Sequence, residues 1–424
     1  QRRVCGADQK SGGNGISTEI YQTAAERVSF AEYMGGTDQA DYRAVKGEKS
    51  MKVMSVFGTR PEAIKMCPLI KRLQEHTEIE SVVCLTGQHE EMLMQVIDIF
   101  QIKVDYNLHI MKPSQTLTTI TADILTDMKP VLQKERPDLV LVHGDTTTSF
   151  AVALAAFYEQ IPVGHVEAGL RTYDKYAPFP EEMNRTLTSR IAELHFAPTQ
   201  TNKLCLEKEN IKENVFVTGN TVIDALQTTV RENYVFKEAT LSRLDLTGKR
   251  VILLTAHRRE NLGHPLCNIC HAVKAIADRY PDVEVIYPVH LNPKVRETVY
   301  ALLGKEDRVH LIEPIDVEDM HNLMSRCYLV MTDSGGIQEE APSCGIPVVV
   351  LRNETERQEA IDAGTVALAG TEEERIVQVV SELMDDSDKY QKMARAVNPY
   401  GDGHASERIV ERILHYFEEK GMEA

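Results

Sequence analysis

The chain contains neither G-x-G-x-x-G nor G-x-x-x-x-G-K followed by Ser or Thr. The first absence argues against a bound dinucleotide, the second against ATP chemistry. No apolar run approaches the roughly 18–20 residues that a bilayer span needs. The N-terminus lacks the charged-then-apolar pattern of a signal peptide. Positive charge is scarce: 47 Lys and Arg stand against 64 Asp and Glu, a formal net charge of −17. Nucleic acid and acidic membrane surfaces are therefore poor partners. Eight cysteines scattered over 424 residues read as reduced cytosolic thiols, not a disulfide framework. Cys267-Asn268-Ile269-Cys270-His271 does match a haem-attachment pattern. Covalent haem needs an export route, however, and the run falls in a predicted helix. No second C-x-x-C or H-x-x-x-H completes a zinc site.

The length predicts two domains. Residues 1–50 stand apart, with Gly12-Gly13-Asn14-Gly15 and Gly35-Gly36 and little apolar periodicity. They read as a poorly ordered extension, or as sequence upstream of a start at Met51, with a helix around Tyr21–Tyr33. From Met51 onward strands and helices alternate. Val53–Phe57, Ser81–Thr86, Leu139–His143, Val163–Glu167 and His195–Pro198 form one strand series. Arg250–Thr255, Val283–Pro288, Val309–Ile312, Tyr328–Thr332 and Pro347–Leu351 form another. Helices are expected over Glu62–Glu75, Gln115–Glu135 and Thr146–Gln160. Near-continuous Val/Ile/Leu runs suit parallel strands covered on both faces. The expected fold class is α/β: two doubly wound, Rossmann-like domains, 51–225 and 226–405, facing a central cleft, with a hinge near Val222–Glu232. Ligands in such sheets bind outside the carboxyl ends of the strands.

The polar clusters fall at those ends. Leu329–Thr332 runs through Asp333 into Ser334-Gly335-Gly336 and a helix. Bare backbone N–H groups there suit a phosphate, and Glu340, farther along the helix, could reach ribose hydroxyls. In the first series, Arg60 and Lys65 follow Gly58-Thr59, and Asp145 follows His143-Gly144. Taken singly, these read equally as a capped helix with solvated charges and as an N-cap aspartate. Glu167 ends an apolar strand, where a buried carboxylate needs a partner. Glu181 opens a helix fourteen residues on. Asp145, Glu167 and Glu181 could converge, and neighbouring carboxylates have their proton affinities pushed apart, as an acid and a base require. His257, Arg258 and Arg259 end a strand of the second series. With Arg357 they could meet a phosphate or a leaving group.

In order, FGTRPEA, HGDTTT, HVEAGLRT, PEEMNR, HRREN, TDSGGIQEEAP and TERQEA resemble the motifs of bacterial non-hydrolysing UDP-N-acetylglucosamine 2-epimerases, over essentially Met51 to the C-terminus. The resemblance implies the two-Rossmann-domain GT-B architecture, with a C-terminal helix (Glu407–Lys420, in a 406–424 segment) packing back across the domains. It implies reversible conversion of UDP-N-acetylglucosamine to UDP-N-acetylmannosamine for surface polysaccharide synthesis. Neither NAD nor metal is needed, and cytoplasmic homodimers are usual. The route is anti elimination of UDP to 2-acetamidoglucal, followed by re-addition. Asp145, Glu167 and Glu181 become the catalytic carboxylates. Ser334, Gly335 and Gly336 become the diphosphate cradle, with Glu340 on the ribose. Arg60, Lys65, His257, Arg258 and Arg357 become further substrate ligands, His257 with a catalytic role. The alternatives are a hydrolysing epimerase releasing free N-acetylmannosamine, a GT-B glycosyltransferase and a non-catalytic nucleotide-sugar-binding protein.

The chain departs from the family in three places. Many members bind a second substrate molecule through a Gln-x-x-Gln pair and an Arg. Here Gln88-His89-Glu90-Glu91 and Lys112-Pro113-Ser114-Gln115 occupy those stretches. Glu91 and Ser114 would weaken the hold on an anion, so Gln88 and Glu91, with His290, are only candidate regulatory positions. Met320 stands where relatives often place an aromatic near the uracil, which predicts weaker base stacking. Residues 1–50 have no counterpart in the family.

Overall fold

The computed structural model describes residues 50–87, 90–112, 114–355 and 357–421, without the side chains of Glu90, Glu91 and Met92. The expected extension and its helix therefore lie outside the described residues.

Among the described residues, thirteen strands form two all-parallel sheets. The first holds β1 (Met51–Phe57), β2 (Ile79–Leu85), β3 (Tyr106–Asn107), β4 (Leu139–His143), β5 (Val163–Val166), β6 (Leu194–Ala197) and β7 (Val215–Val217). Its order is β3-β2-β1-β4-β5-β6-β7. The second holds β8 (Arg250–Thr255), β9 (Val283–Pro288), β10 (Val309–Ile312), β11 (Leu329–Thr332), β12 (Val348–Val350) and β13 (Val366–Leu368). Its order is β10-β9-β8-β11-β12-β13. Both orders reverse at one point, between β1 and β4 and between β8 and β11. Such switch points open the crevice that ligands use. Register places Ser55 beside Leu141, and Thr332 beside Thr255. The loops leaving each pair therefore emerge together.

The strands are apolar because both faces are covered. Every residue of β4 is buried, as is every residue of β11. Three strands escape the sequence reading: β3, β7 and β13. They are two or three residues long and lie at sheet edges, where no apolar run is needed.

Helix Ala405–Glu419 buries Ile409, Val410, Ile413 and Phe417 in the core of the first sheet, beside Ala63, Met66 and Ile70 of helix Arg60–Gln74. At roughly 1.5–3 kcal/mol per buried apolar side chain, this face holds the chain's end on the lobe where the described chain begins. The segment expected as a hinge is mostly a helix, Thr221–Thr229, with Ala225 in the first core and Leu226 in a core of the second sheet. The two chain crossings carry glycines with positive φ, Gly219 (+92°) and Gly401 (+130°). Cys270 is buried in helix His264–Arg279, where burial pushes its thiol up to about 12. That is a packed core thiol.

Candidate active site

The end of β1 is shaped by contact. A Cβ on Gly58 would collide with the hydroxyl of Thr86, so the loop passes only as glycine. Thr59 then caps helix Arg60–Gln74 in a reciprocal box with Glu62. Glu62 accepts from Gly58 N–H (3.1 Å), Thr59 N–H (2.7 Å) and Thr146 Oγ1 (2.7 Å), joining the β1 and β4 loops. Arg60 is half-buried at the helix start, with no ion-pair partner among the described residues. One turn on, Lys65 reaches the end of β5 and pairs with Glu167.

Glu167 is the centre of the first lobe. Its backbone is left-handed (φ +63°), a conformation that costs a non-glycine residue roughly 1 kcal/mol or more. Its carboxylate meets Lys65 Nζ and accepts from Asn220 Nδ2 (3.1 Å). His143 Nε2 lies 3.5 Å away. Burial alone would raise this carboxyl, but Lys65 and His143 hold it well below the usual range. Burial likewise opposes the Lys65 charge, and Glu167 and Glu339 more than restore it.

Asp145 stands beside this group, since a Cβ on neighbouring Gly144 would lie 3.7 Å from Glu167 Oε1. Its Oδ2 accepts from Arg185 (3.0 Å) and its carbonyl from Asn184 Nδ2 (3.0 Å). Arg185 also pairs with Glu182, which accepts from Thr172 and Tyr173 N–H at 3.0 and 2.9 Å. Glu181, one turn before Arg185 on helix Glu181–Ile191, is half-buried without an ion-pair partner among the described residues. His165 Nε2–H donates to Gly144 carbonyl (2.7 Å), fixing the loop that carries Asp145.

The second lobe is organised by Asp333, wholly buried at the end of β11. Its Oδ2 accepts from His257 and Arg258 N–H (both 2.8 Å) and Asn261 Nδ2 (3.0 Å). The β8 loop is thereby tied to the β11 loop. The His257 ring stacks on exposed His290, centroids 4.9 Å apart. Burial lowers the His257 pKa against the pull of Asp333. Ser334, Gly335 and Gly336 follow. A Cβ on Gly335 would sit 2.9 Å from the Arg357 guanidinium carbon, so the glycine exposes backbone beside a cation. Glu340 turns to His321, Oε2 to Nε2 3.2 Å. Met320 packs against the second lobe's core.

Glu339, adjacent to Glu340, is the residue that faces the first lobe. It accepts from Arg357 (2.8 and 3.0 Å) and from Asn220 Nδ2 (3.0 Å). Burial raises its carboxyl, offset by Arg357 and Lys65, with Glu167 pushing it up further. The structure thus gathers Lys65, Glu167 and Arg357 through two residues the sequence reading missed, Asn220 and Glu339. His143 and Asp333 were missed as well. His143 had a signal: a histidine closing an apolar strand beside Gly144-Asp145. Gln88 and the Glu91 side chain lie outside the described residues, and Ser114 is exposed.

The chain is similar to known proteins in sequence and in fold. A family model described as UDP-N-acetylglucosamine 2-epimerase matches residues 71–414. The Bacillus subtilis UDP-N-acetylglucosamine 2-epimerase is 57% identical over 371 residues, 87% of this chain and 96% of that one. The Escherichia coli K12 enzyme of the same name is 53% identical, over 86% and 98%. The crystal structure of UDP-GlcNAc 2-epimerase from Neisseria meningitidis, bound to UDP-GlcNAc, superposes with a TM-score of 0.78 at 51% identity, covering 86% of this chain and all of that one.

Proposed function

This chain belongs to the UDP-N-acetylglucosamine 2-epimerase family, and from that premise we propose that it interconverts UDP-N-acetylglucosamine and UDP-N-acetylmannosamine without hydrolysis. The observation that carries the reading is Glu167. It is a partly buried carboxylate kept ionised by Lys65 and His143, one amide away from the lobe that bears the Ser334 turn and Arg357.

The sugar's C2–H is not acidic, because no carbonyl adjoins it. Lengthening the C1–O bond to UDP builds positive charge at C1, and C2–H then becomes removable. A carboxylate takes that proton while the C1–O electron pair leaves with UDP, giving 2-acetamidoglucal. Delivering a proton to the opposite face of C2 and re-forming the C1–O bond completes the inversion. Asp145, Glu167 and Glu181 supply the acid and base groups. Ser334, Gly335, Gly336, Arg258 and Arg357 hold the diphosphate, stabilising the leaving charge. Glu340 takes the ribose, Met320 the uracil, and Arg60 and His257 the sugar-phosphate junction. Closure of domains 51–225 and 226–405, with segment 406–424 spanning back, retains the glucal and excludes water. The resemblance further supports a cytoplasmic homodimer.

Incubation with UDP-N-acetylglucosamine in D2O places deuterium at C2 of the recovered sugar nucleotide. Active protein without that exchange rejects the mechanism. Phosphorus NMR separates the hydrolysing alternative, which accumulates UDP stoichiometrically.

A further inference from the structure

The two chain crossings between the lobes run side by side. A Cβ on Gly219 would sit 3.4 Å from the Cα of Gly401, and Asn220 N–H donates to Tyr400 carbonyl at 2.7 Å. Asn220 is also the cap of helix Thr221–Thr229, its Oδ1 accepting Val222 N–H at 3.1 Å. That bond orients the amide. With the oxygen on the helix, the NH2 group faces the cleft, 3.1 Å from Glu167 Oε2 and 3.0 Å from Glu339 Oε2. The residue is 3% exposed.

We propose that Asn220 is a positioning residue for the C2 proton transfer, aligning Glu167 by tying it across the hinge to Glu339 of the nucleotide lobe. This rests on the reading of Glu167 as an acid–base group. The residue type follows from the geometry. The position needs one acceptor for the cap and two donors for the carboxylates. A neutral amide serves both acceptors without adding to the charge that Lys65 already places on Glu167, whereas a carboxylate would repel both partners. Gln has the groups but an extra methylene, which displaces the cap. Asn220 lies where the two crossings touch, and its one amide group holds Glu167 and Glu339 in a single arrangement.

Asn220→Ser separates this role from folding. Serine is about as good an N-cap as asparagine, but it has no NH2 group to offer the two carboxylates. Expected are a melting temperature lowered only modestly by the lost amide bonds and a wild-type UDP affinity, with kcat for C2 exchange down roughly 10- to 100-fold and KM little changed. In Asn220→Asp the new carboxyl faces Glu167, Glu339, Lys65, His143 and Arg357. It donates only when protonated, so its exchange rate rises relative to wild type as pH falls. Wild-type kcat in Asn220→Ser, or a loss matched by equal losses of melting temperature and UDP affinity, overturns the proposal. Absence of exchange in the unsubstituted enzyme would instead reject the reaction itself, so the two failures are told apart.

Discussion

The two lobes present charge in different ways. In the first, the carboxylates that follow β4 and β5 already have their counter-charge: Arg185 on Asp145 and Lys65 on Glu167. In the second, the helix beginning at Gly335 has no side-chain cap. Arg258 there is half-buried with no carboxylate on its guanidinium among the described residues. In the first lobe Lys65 holds Glu167 ionised before any substrate arrives. The second leaves positive potential for an anion to satisfy. Proton transfer and nucleotide grip should therefore fail separately when each lobe is damaged.

The largest effect expected is from Glu167→Gln. It keeps shape and removes the base, so C2 exchange in D2O falls roughly 10²- to 10⁴-fold while UDP affinity by calorimetry stays near wild type. A parallel loss of UDP affinity would erase the distinction between the lobes. Arg357→Met is the counterpart. Loss of a charged donor to phosphate is worth about 1.5–3 kcal/mol, so UDP binds roughly 10- to 100-fold more weakly. It also strands Glu339, and breaking a buried pair costs about 3–5 kcal/mol. Adding Glu339→Gln should recover melting temperature but not UDP affinity. Recovery of both would mean that Arg357 acts only through Glu339.

Much of this was legible in the sequence because parallel strands announce themselves. Covered on both faces, β4 and β11 are unbroken apolar runs, and the chemistry sits in the few residues that follow each run. Residues at strand ends, such as Glu167, Asp145 and His257, could therefore be singled out as candidates from their positions, and the family resemblance added their roles. Residues whose role depends on the other lobe could not. Glu339 and Glu340 are neighbours on a six-residue helix, and only tertiary packing decides that Glu339 faces Glu167 and Glu340 faces His321. Asn220 reads as a helix cap, which it is; its second role exists only because the return crossing at Tyr400–Gly401 pins it in the cleft. Most of Val222–Glu232 is apolar enough to pack, so it forms part of helix Thr221–Thr229, shared between the two cores.

Asp333 offers a smaller test within the second lobe. One of its oxygens accepts three donors from the β8 loop. Asp333→Asn can put its amide oxygen there, but it loses the charge that strengthens each bond. Destabilisation of about 1–3 kcal/mol is expected, read as a lowered urea midpoint. UDP affinity should drop with it, because the His257–Arg258 loop loosens, whereas Glu167 chemistry on bound substrate should change little. An equal fall in kcat at saturating substrate would show that the β8 loop serves the proton transfer as well as the grip.

The smallest effect separates the lobes by acid. His165 and His195 lie inside β5 and β6, and burial lowers their pKa values to about 3 and about 4. Unfolded, each would titrate near 6.5. The folded state therefore refuses protons that the unfolded state accepts. The stability these groups contribute is complete above pH 6.5 and is lost as pH falls towards the depressed values. The slope is about 1 kcal/mol per histidine for each pH unit below 6.5. His165→Gln can keep a donor for the Gly144 carbonyl while removing one titration. Its urea midpoint should fall less than wild type between pH 7.5 and pH 5.5. If the two curves run parallel, acid sensitivity does not originate in the β5 histidine, and His195 of β6 becomes the group to replace next.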